Sequence, residues 1–388
     1  QKFAAARHNK NLRLTKAKKC GGDFFMSEKY IAVVFGGASN ESEISVITGT
    51  MCANILKNGG ESVVPVYISP SGAMYCGENL ADIQVFRRGE ELKAARCIAE
   101  GGGLHVLGRR GKIKKFLPIY AAINCCHGGL GEGGGVGGLF ACAGIPMAGG
   151  DIFGGAAFLD KCHTKILLSG LGVNALPYSI VRSPKDIPEA IQKIGLPAVV
   201  KPARLGSSIG VAAADTEEQF SEAVEAALMY DEKVLCERYV KCRREINCAA
   251  YYYGGEVHVS QCEEAFSSGG LLSFDDKYAG GGKSVIPADI PQEISAKVQN
   301  AVRLVYSSLD MRGIVRFDFI LEGEELYLSE VNTVPGSLAW YLFAPSLKKF
   351  YPVLKNVISQ AVADSANGKQ KLLLSYRHSP REYDVNFG

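Results

Sequence analysis

Asp318, Glu330 and Asn332 carry the clearest chemistry in this sequence. Residues 314–321 and 326–332 each alternate as strands do, and the polar stretch 322–325, with Gly323, reads as the turn joining them. On that register Arg316, Asp318 and Ile320 share one face of the first strand, and Glu330 and Asn332 share a face of the second. A turn centred near residues 323 and 324 sets Asp318 roughly opposite Glu330. Three oxygen-bearing side chains then converge, and hard oxygen donors are what Mg²⁺ takes beside water and phosphate oxygens. A solvated polar face is the plainer reading. The apolar neighbours on both strands weigh against it, because these acids interrupt otherwise core-like strands, and a metal site is expected.

Two glycine-containing turns carry weaker signals. Residues 201–210 read KPARLGSSIG: a strand ends in Lys201, and Gly206, Ser207 and Ser208 could bring backbone N–H groups and hydroxyls against a phosphate chain. This is not the GxxxxGK[ST] pattern, and a Gly-Ser loop alone is as readily an ordinary turn. Residues 36–43 read GGASNESE. A glycine turn after a first strand sets a helix N-terminus over a sheet edge, which suits a carboxylate or phosphate, and Glu41 could hold an ammonium group. Capping by Ser42 with acids in the first turn explains the same residues.

The elements that must position these groups alternate. Strands at 30–35, 62–68 and 120–125, with a helix from near Ser42 and a glycine-rich stretch 127–138 leading into a helix ending near Gly144, predict a parallel α/β sheet. Helix 158–171, strand 178–182, helix 186–194, strands 198–201 and 209–213, helix 217–229 and strand 234–237 follow. Strands 245–253 and 256–263 flank Gly254-Gly255, a hairpin signal. Residues 267–282 read as a loop long enough to be a lid, before a helix over 291–308.

A chain of 388 residues exceeds one ordinary domain and suggests two or three. Apolar residues are 47% and charged residues 21%, a core-forming composition. No apolar run reaches the ~18 residues a membrane span needs, so no membrane partner is expected. The 12 cysteines include no CxxC pair, and they read as reduced thiols of a cytosolic protein. The net charge of +3 divides unevenly: residues 1–25 hold seven Lys/Arg and one acid, +6, leaving 3 − 6 = −3 for the remainder. That acidic body gives no electrostatic case for nucleic acid. The basic start could be a targeting peptide. It reads better as a translated, non-native leader, because Gly21-Gly22-Asp23 can encode a bacterial ribosome-binding site before Met26.

In chain order the motifs FGGxSxExEIS, HGxxGExG, Asp160-Lys161, KPARLGSSIGV, Lys277-Tyr278, GxxRxDF and ExNTxPG resemble those of D-alanine–D-alanine ligases, over roughly residues 30 to 345. Each is weak alone; the ordered set is specific. The resemblance implies an ATP-grasp fold behind an N-terminal α/β domain, with boundaries at 26–157, 158–236 and 237–364 and an unassigned tail 365–388. It implies a cytoplasmic, bacterial homodimer that uses ATP, two Mg²⁺ (or Mn²⁺) ions and D-alanine for peptidoglycan.

Residue by residue, the resemblance makes Lys161 and Lys201 the ATP lysines, with Ser208 and Lys277 beside them. Glu237, Arg238, Tyr239 and Val240 flank the adenine, and Glu245 takes the ribose. Asp318, Glu330 and Asn332 hold the metals. Glu41 binds the first D-alanine's ammonium, with Ser207 and Tyr278 as its partners and His127 beside that substrate. Arg316 and the Gly336 backbone stabilise an oxyanion. Tyr341 and Leu342 fall in the second-substrate pocket.

Three departures stand out. Gly133 and Gly137 replace an Asp and a Gln, so a looser loop is expected. Leu338 and Tyr341 stand where a Thr and a Ser are usual, which opens the identity of the second substrate: D-serine, D-lactate or another amino acid. The tail matches nothing. An inactive nucleotide-binding domain is the rival from another class, and the full set of lysines, metal ligands and Arg316 opposes it. A dehydrogenase is weaker still, since GxGxxG is absent after the first strand.

Overall fold

The computed structural model of the chain describes residues 29–88, 92–241, 243–266 and 283–375, with side chains to residue 368. The expected leader and lid, including Lys277 and Tyr278, and the end of the tail lie outside the described residues.

The first sheet grows around a strand that is apolar on both faces. Tyr30–Gly36 (β1) is buried from Ile31 onward, as a strand covered on both sides must be. Its odd-numbered side chains, Ile31, Val33 and Phe35, pack under helix Ser42–Asn58 (α1), and Ala32 and Val34 face a second cluster with Val66, Leu104 and Phe140. Val63–Ile68 (β2), Ile113–Asn124 (β6) and Met147–Ala148 (β7) give the expected parallel core, β2-β1-β6-β7.

The sheet is not parallel throughout, however. Met74–Cys76 (β3), Ala95–Glu100 (β4) and Gly103–Leu107 (β5) run antiparallel from β2 back to the start of β6. These strands are short and half-exposed, so they lack the continuous apolar run that marks a buried strand. Helix Ile83–Arg87 (α2) lies among them.

Glycine governs the next segment. Gly129–Glu132 (α3) and Gly135–Cys142 (α4) pack on Ile152–Leu159 (α5) with almost no side chains between them. A Cβ at Gly137 would run into the Gly150 carbonyl, and one at Gly133 would meet Leu159 at 2.8 Å and the Gly129 carbonyl at 2.9 Å. The loosening expected from these two glycines is therefore not found: they close the packing.

Residues 158–171 form two helices rather than one. The chain breaks at Asp160, whose carboxylate caps Lys161–Gly170 (α6) by accepting from the Cys162 and His163 N–H groups at 2.9 and 3.2 Å. Then come Tyr178–Val181 (β8), Ile187–Ile194 (α7), Ala198–Pro202 (β9), Ala212–Ala214 (β10), Glu217–Leu228 (α8) and Val234–Arg238 (β11). Their strands form an antiparallel sheet in the order β10-β9-β11-β8.

The third sheet is also antiparallel. Arg244–Tyr253 (β12) pairs with Glu256–Val259 (β13) across Gly254-Gly255 as expected. The second arm does not run on to residue 263. The Ser260 hydroxyl accepts from the Ala249 N–H at 2.9 Å, and the chain resumes as Glu263–Phe266 (β14), followed by Lys283–Val285 (β15). Gln292–Ser308 (α9) backs this sheet with Val298, Val302 and Val305.

Val315–Glu322 (β16) and Glu325–Asn332 (β17) complete the sheet. After Trp340–Phe343 (α10), the long helix Leu347–Ser375 (α11) returns to the first sheet. Phe350, Leu354 and Ile358 enter the β1 core, and Glu61 accepts from Tyr351 at 2.6 Å and Lys355 at 2.7 Å.

Candidate active site

In the β16–β17 hairpin Asp318 faces Glu330, as read from the sequence, and Arg316 faces Asn332. A bulge at Ser329 of β17, opposite the Asp318–Phe319 step, shifts the register there. The Asn332 amide donates to Asp318 at 3.0 Å. The Arg316 guanidinium grips the same carboxylate at 2.7 and 2.8 Å. Glu330 takes the Lys161 ammonium at 3.0 Å. Burial opposes charge on Lys161, yet Glu330, with Glu41 and Glu132 behind it, raises its pKa above the ordinary lysine value. Two carboxylates and a carboxamide oxygen form an oxygen-only donor set, which suits a hard divalent cation. No group of three His, Cys, Asp or Glu side chains with metal-site geometry occurs among the described residues, so such an ion would take its remaining ligands from phosphate and water.

These groups wall a cavity of about 460 Å³ between the second and third sheets. Lys161, Lys201, Ser207, Ser208, Glu245 and Gly336 line it together with Arg316, Asp318 and Glu330, so most of the expected site converges. Ser207 and Ser208 have φ of 53° and 59°, the left-handed region that L-residues enter rarely and that clusters at functional loops.

Residues 237–240 are not among those that wall that cavity. Glu237 is buried between two lysines, 2.6 Å from Lys165 and 2.5 Å from Lys201. Burial disfavours its charge, but the lysines win and hold its pKa near about 2. Arg238 pairs with Glu322 at 2.6 Å, and Val240 is core. Lys165 went unnoticed in the sequence. It sits one turn after Lys161 on α6, and that i, i+4 spacing was its only signal.

A smaller pocket opens behind the cavity, with Glu41, His127 and Glu132 on its wall. The Ser207 hydroxyl donates to the Glu41 carboxylate, joining the loop after β9 to the start of α1. Close approach is possible because Gly128 and Gly206 face that carboxylate; a Cβ on either would collide with it. His127 is buried with both ring edges occupied. Nε2 meets the Thr48 hydroxyl at 2.8 Å, and the ring also bonds the Val334 backbone. Desolvation lowers its pKa to about 4, so it is neutral at pH 7.

Glu132 accepts from the Gly128 N–H at 3.0 Å and the Val334 N–H at 3.3 Å. Burial, with the charges of Glu41 and Glu330, pushes its pKa up to about 7. Thr48 and Glu132 are therefore part of the site. Glu132 stood in the quoted HGxxGExG motif without a role, and Thr48 gave no signal.

The two departures near residue 340 separate. Leu338 is 3% exposed and packs into the first-sheet core, so its change is one of packing. Leu342 is buried and does not line the cavity. Tyr341 does line it, and its hydroxyl bonds Arg316; burial pushes its pKa up to about 12.

Family profiles described as the D-ala D-ala ligase N-terminus and C-terminus match residues 30–150 and 167–361. A D-alanine–D-alanine ligase of Thermosipho melanesiensis is 32% identical over 342 residues, covering 86% of this chain and 93% of the relative. The crystal structure of a D-alanine–D-alanine ligase from Helicobacter pylori superposes with a TM-score of 0.71 at 27% identity, covering 85% of this chain and 98% of that one. A D-Ala:D-Ser ligase from Enterococcus faecalis superposes with a TM-score of 0.72 at 25% identity, over 86% and 99%. Paired lysines and oxygen donors around one cavity, and motifs matched across both halves, have a single explanation: the chain belongs to the D-alanine–D-alanine ligase family.

Proposed function

We propose that the protein joins two D-alanines through an acyl phosphate, giving D-alanyl-D-alanine, ADP and phosphate for peptidoglycan. The observation that carries this is the Glu41–Ser207 contact, which sets an ammonium-binding carboxylate beside a wall of lysines and oxygen donors. Glu41 holds the first D-alanine by its ammonium. Lys161, Lys201 and the N–H groups of the 206–208 loop hold the ATP phosphates. The first carboxylate attacks the γ-phosphorus, and the second amine then attacks the acyl carbon and displaces phosphate. Arg316 and the Gly336 N–H receive the oxyanion charge, so catalysis is chiefly positioning and electrostatics. Two Mg²⁺ or Mn²⁺ ions at Asp318, Glu330 and Asn332 would neutralise the transferring phosphate. The working form is a cytoplasmic homodimer.

Tyr341 favours a second reading of the acceptor alone. Its large side chain stands on the cavity wall where a small hydroxyl is usual, so D-serine, D-lactate or another amino acid could replace the second D-alanine. ATP, Mg²⁺ and a panel of D- and L-amino acids, read by mass spectrometry, decide between them. D-Alanyl-D-alanine as the main product supports the first reading, and a mixed dipeptide or depsipeptide supports the second. A folded enzyme that consumes no ATP with any of them overturns both.

A further inference from the structure

Residues 337–339 carry a conformation that their types do not favour. Ser337, Leu338 and Ala339 have φ of 51°, 53° and 47°, three successive non-glycine residues in the left-handed region. Such a run persists only where the surroundings over-determine it. One end is pinned by burial, with Leu338 3% and Ala339 0% exposed. The other end, residues 334–337, is held by polar groups that all come from the first sheet and its helices. Glu132 accepts from the Val334 N–H, His127 bonds the Val334 backbone, and Thr48 accepts from the Ser337 N–H at 3.0 Å. Gly336 lies inside this clamp.

Thr48 has one proton to give. The His127 ring gives its other N–H to the Val334 backbone carbonyl, which leaves Nε2 an acceptor 2.8 Å from the hydroxyl, so Thr48 donates to Nε2 while its oxygen accepts from the Ser337 N–H. Thr48 is 0% exposed, and water has no access to replace either bond. The same helix carries Glu41 at its start, seven residues earlier. Glu41 is the N-cap of that helix, so the two residues lie about 10 Å apart along its axis. Helix α1 is itself fixed to the sheet: Ser45 accepts from the Gly36 N–H at 2.7 Å and donates to the Cys125 carbonyl at 2.8 Å.

We propose that Thr48 is a positioning residue, which sets the Gly336 amide at a fixed distance from the substrate held by Glu41. This rests on the ligase reading and on Gly336 as an oxyanion donor. One rigid helix then measures the reaction: its first turn fixes the ammonium of the first amino acid, and two turns on it fixes the amide that meets the charge developing on that molecule's acyl oxygen. The hydroxyl touches no substrate and acts through Ser337 and His127.

The test uses the full chain with Thr48→Val, which keeps the shape and loses both hydrogen bonds, and Thr48→Ser, which keeps them. Thr48→Val should lower kcat tenfold or more while the KM values for ATP and the first D-alanine stay within about twofold. Thr48→Ser should recover kcat to within about threefold of wild type. Wild-type kcat in Thr48→Val, or an equal loss in both variants, overturns the proposal, as does a loss confined to the KM for ATP. If Thr48→Val does not fold, Thr48→Cys, with a weaker donor of similar size, must show the same fall in kcat at unchanged KM for ATP. Wild-type enzyme run alongside separates the two claims: no dipeptide from wild type defeats the ligase reading, and wild-type dipeptide with unchanged variants defeats only the clamp.

Discussion

Asp318 and Glu330 each rest against a cation of the chain itself, Arg316 and Lys161. A divalent ion held by Asp318, Glu330 and Asn332 would supply positive charge in place of these contacts, and the Arg316 guanidinium would then be available to an oxyanion. Asp318→Asn and Glu330→Gln should each cut kcat by about 10²- to 10³-fold, the scale for removing one group from a preorganised electrostatic site. Melting temperatures should change little, and unaltered turnover in both variants would defeat the metal assignment. Tyr341→Ser should move the KM of the second amino acid alone. One hydrogen bond to a charged group is worth about 1.5–3 kcal/mol, or roughly ten- to a hundredfold in affinity; equal shifts for both substrates would show that Tyr341 does not line the second subsite.

His127 gives a pH dependence at the same scale. Its folded pKa, about 4, lies below the ordinary 6.5, so between those values the unfolded chain binds more protons. Stability from this group is complete above pH 6.5 and is lost as pH falls towards 4, by at most about 3 kcal/mol. His127→Gln should be less stable at pH 7 yet lose less between pH 6.5 and 4. Parallel melting curves for the two proteins over that range would contradict the burial of a neutral ring.

At the scale of elements, the hairpin was the most legible feature, because period-two alternation around a glycine turn fixes register without tertiary context. A turn centred between residues 323 and 324 pairs Phe319 with Leu328, as found, and a bulge at Ser329 then brings Glu330 opposite Asp318. The break at Asp160 was not legible. Residues 158–169 hold no Gly or Pro to mark a break, and the cap geometry is what stops α5 and restarts α6 with Lys161 turned to the cavity. The role of glycine in α3 and α4 was equally hidden, since a residue without a side chain reads as looseness until its neighbours are known. Gly137→Gln restores the residue usual in the family, yet it should destabilise the fold by about 1–3 kcal/mol, the scale for overpacking, because its Cβ meets the Gly150 backbone. A stable Gly137→Gln protein, by urea denaturation, would mean that α4 can shift away from residues 150 and 151.

Across the whole molecule, the site belongs to no single sheet. Glu41 and His127 come from the first, Ser207 from the loop between β9 and β10 of the second, and Asp318 and Glu330 from the third. The resemblance named most of these residues, because each sits in a short motif that survives as a string. It missed Thr48 and Lys165, whose roles exist only once α1 meets the 334–337 loop and α6 meets Glu237. The return of α11 to the β1 core was likewise invisible, as long-range packing leaves no local period.

The central claim is that this assembly activates one D-alanine as an acyl phosphate and passes it to a second. D-Alanine labelled with oxygen-18 in its carboxylate tests it most directly. The carboxylate oxygen that attacks the γ-phosphorus leaves with phosphate when the second amine attacks the acyl carbon. With ATP, Mg²⁺ and wild-type enzyme, the account predicts one labelled oxygen in each phosphate released, matched one for one by D-alanyl-D-alanine. Unlabelled phosphate, or phosphate without dipeptide, would contradict it.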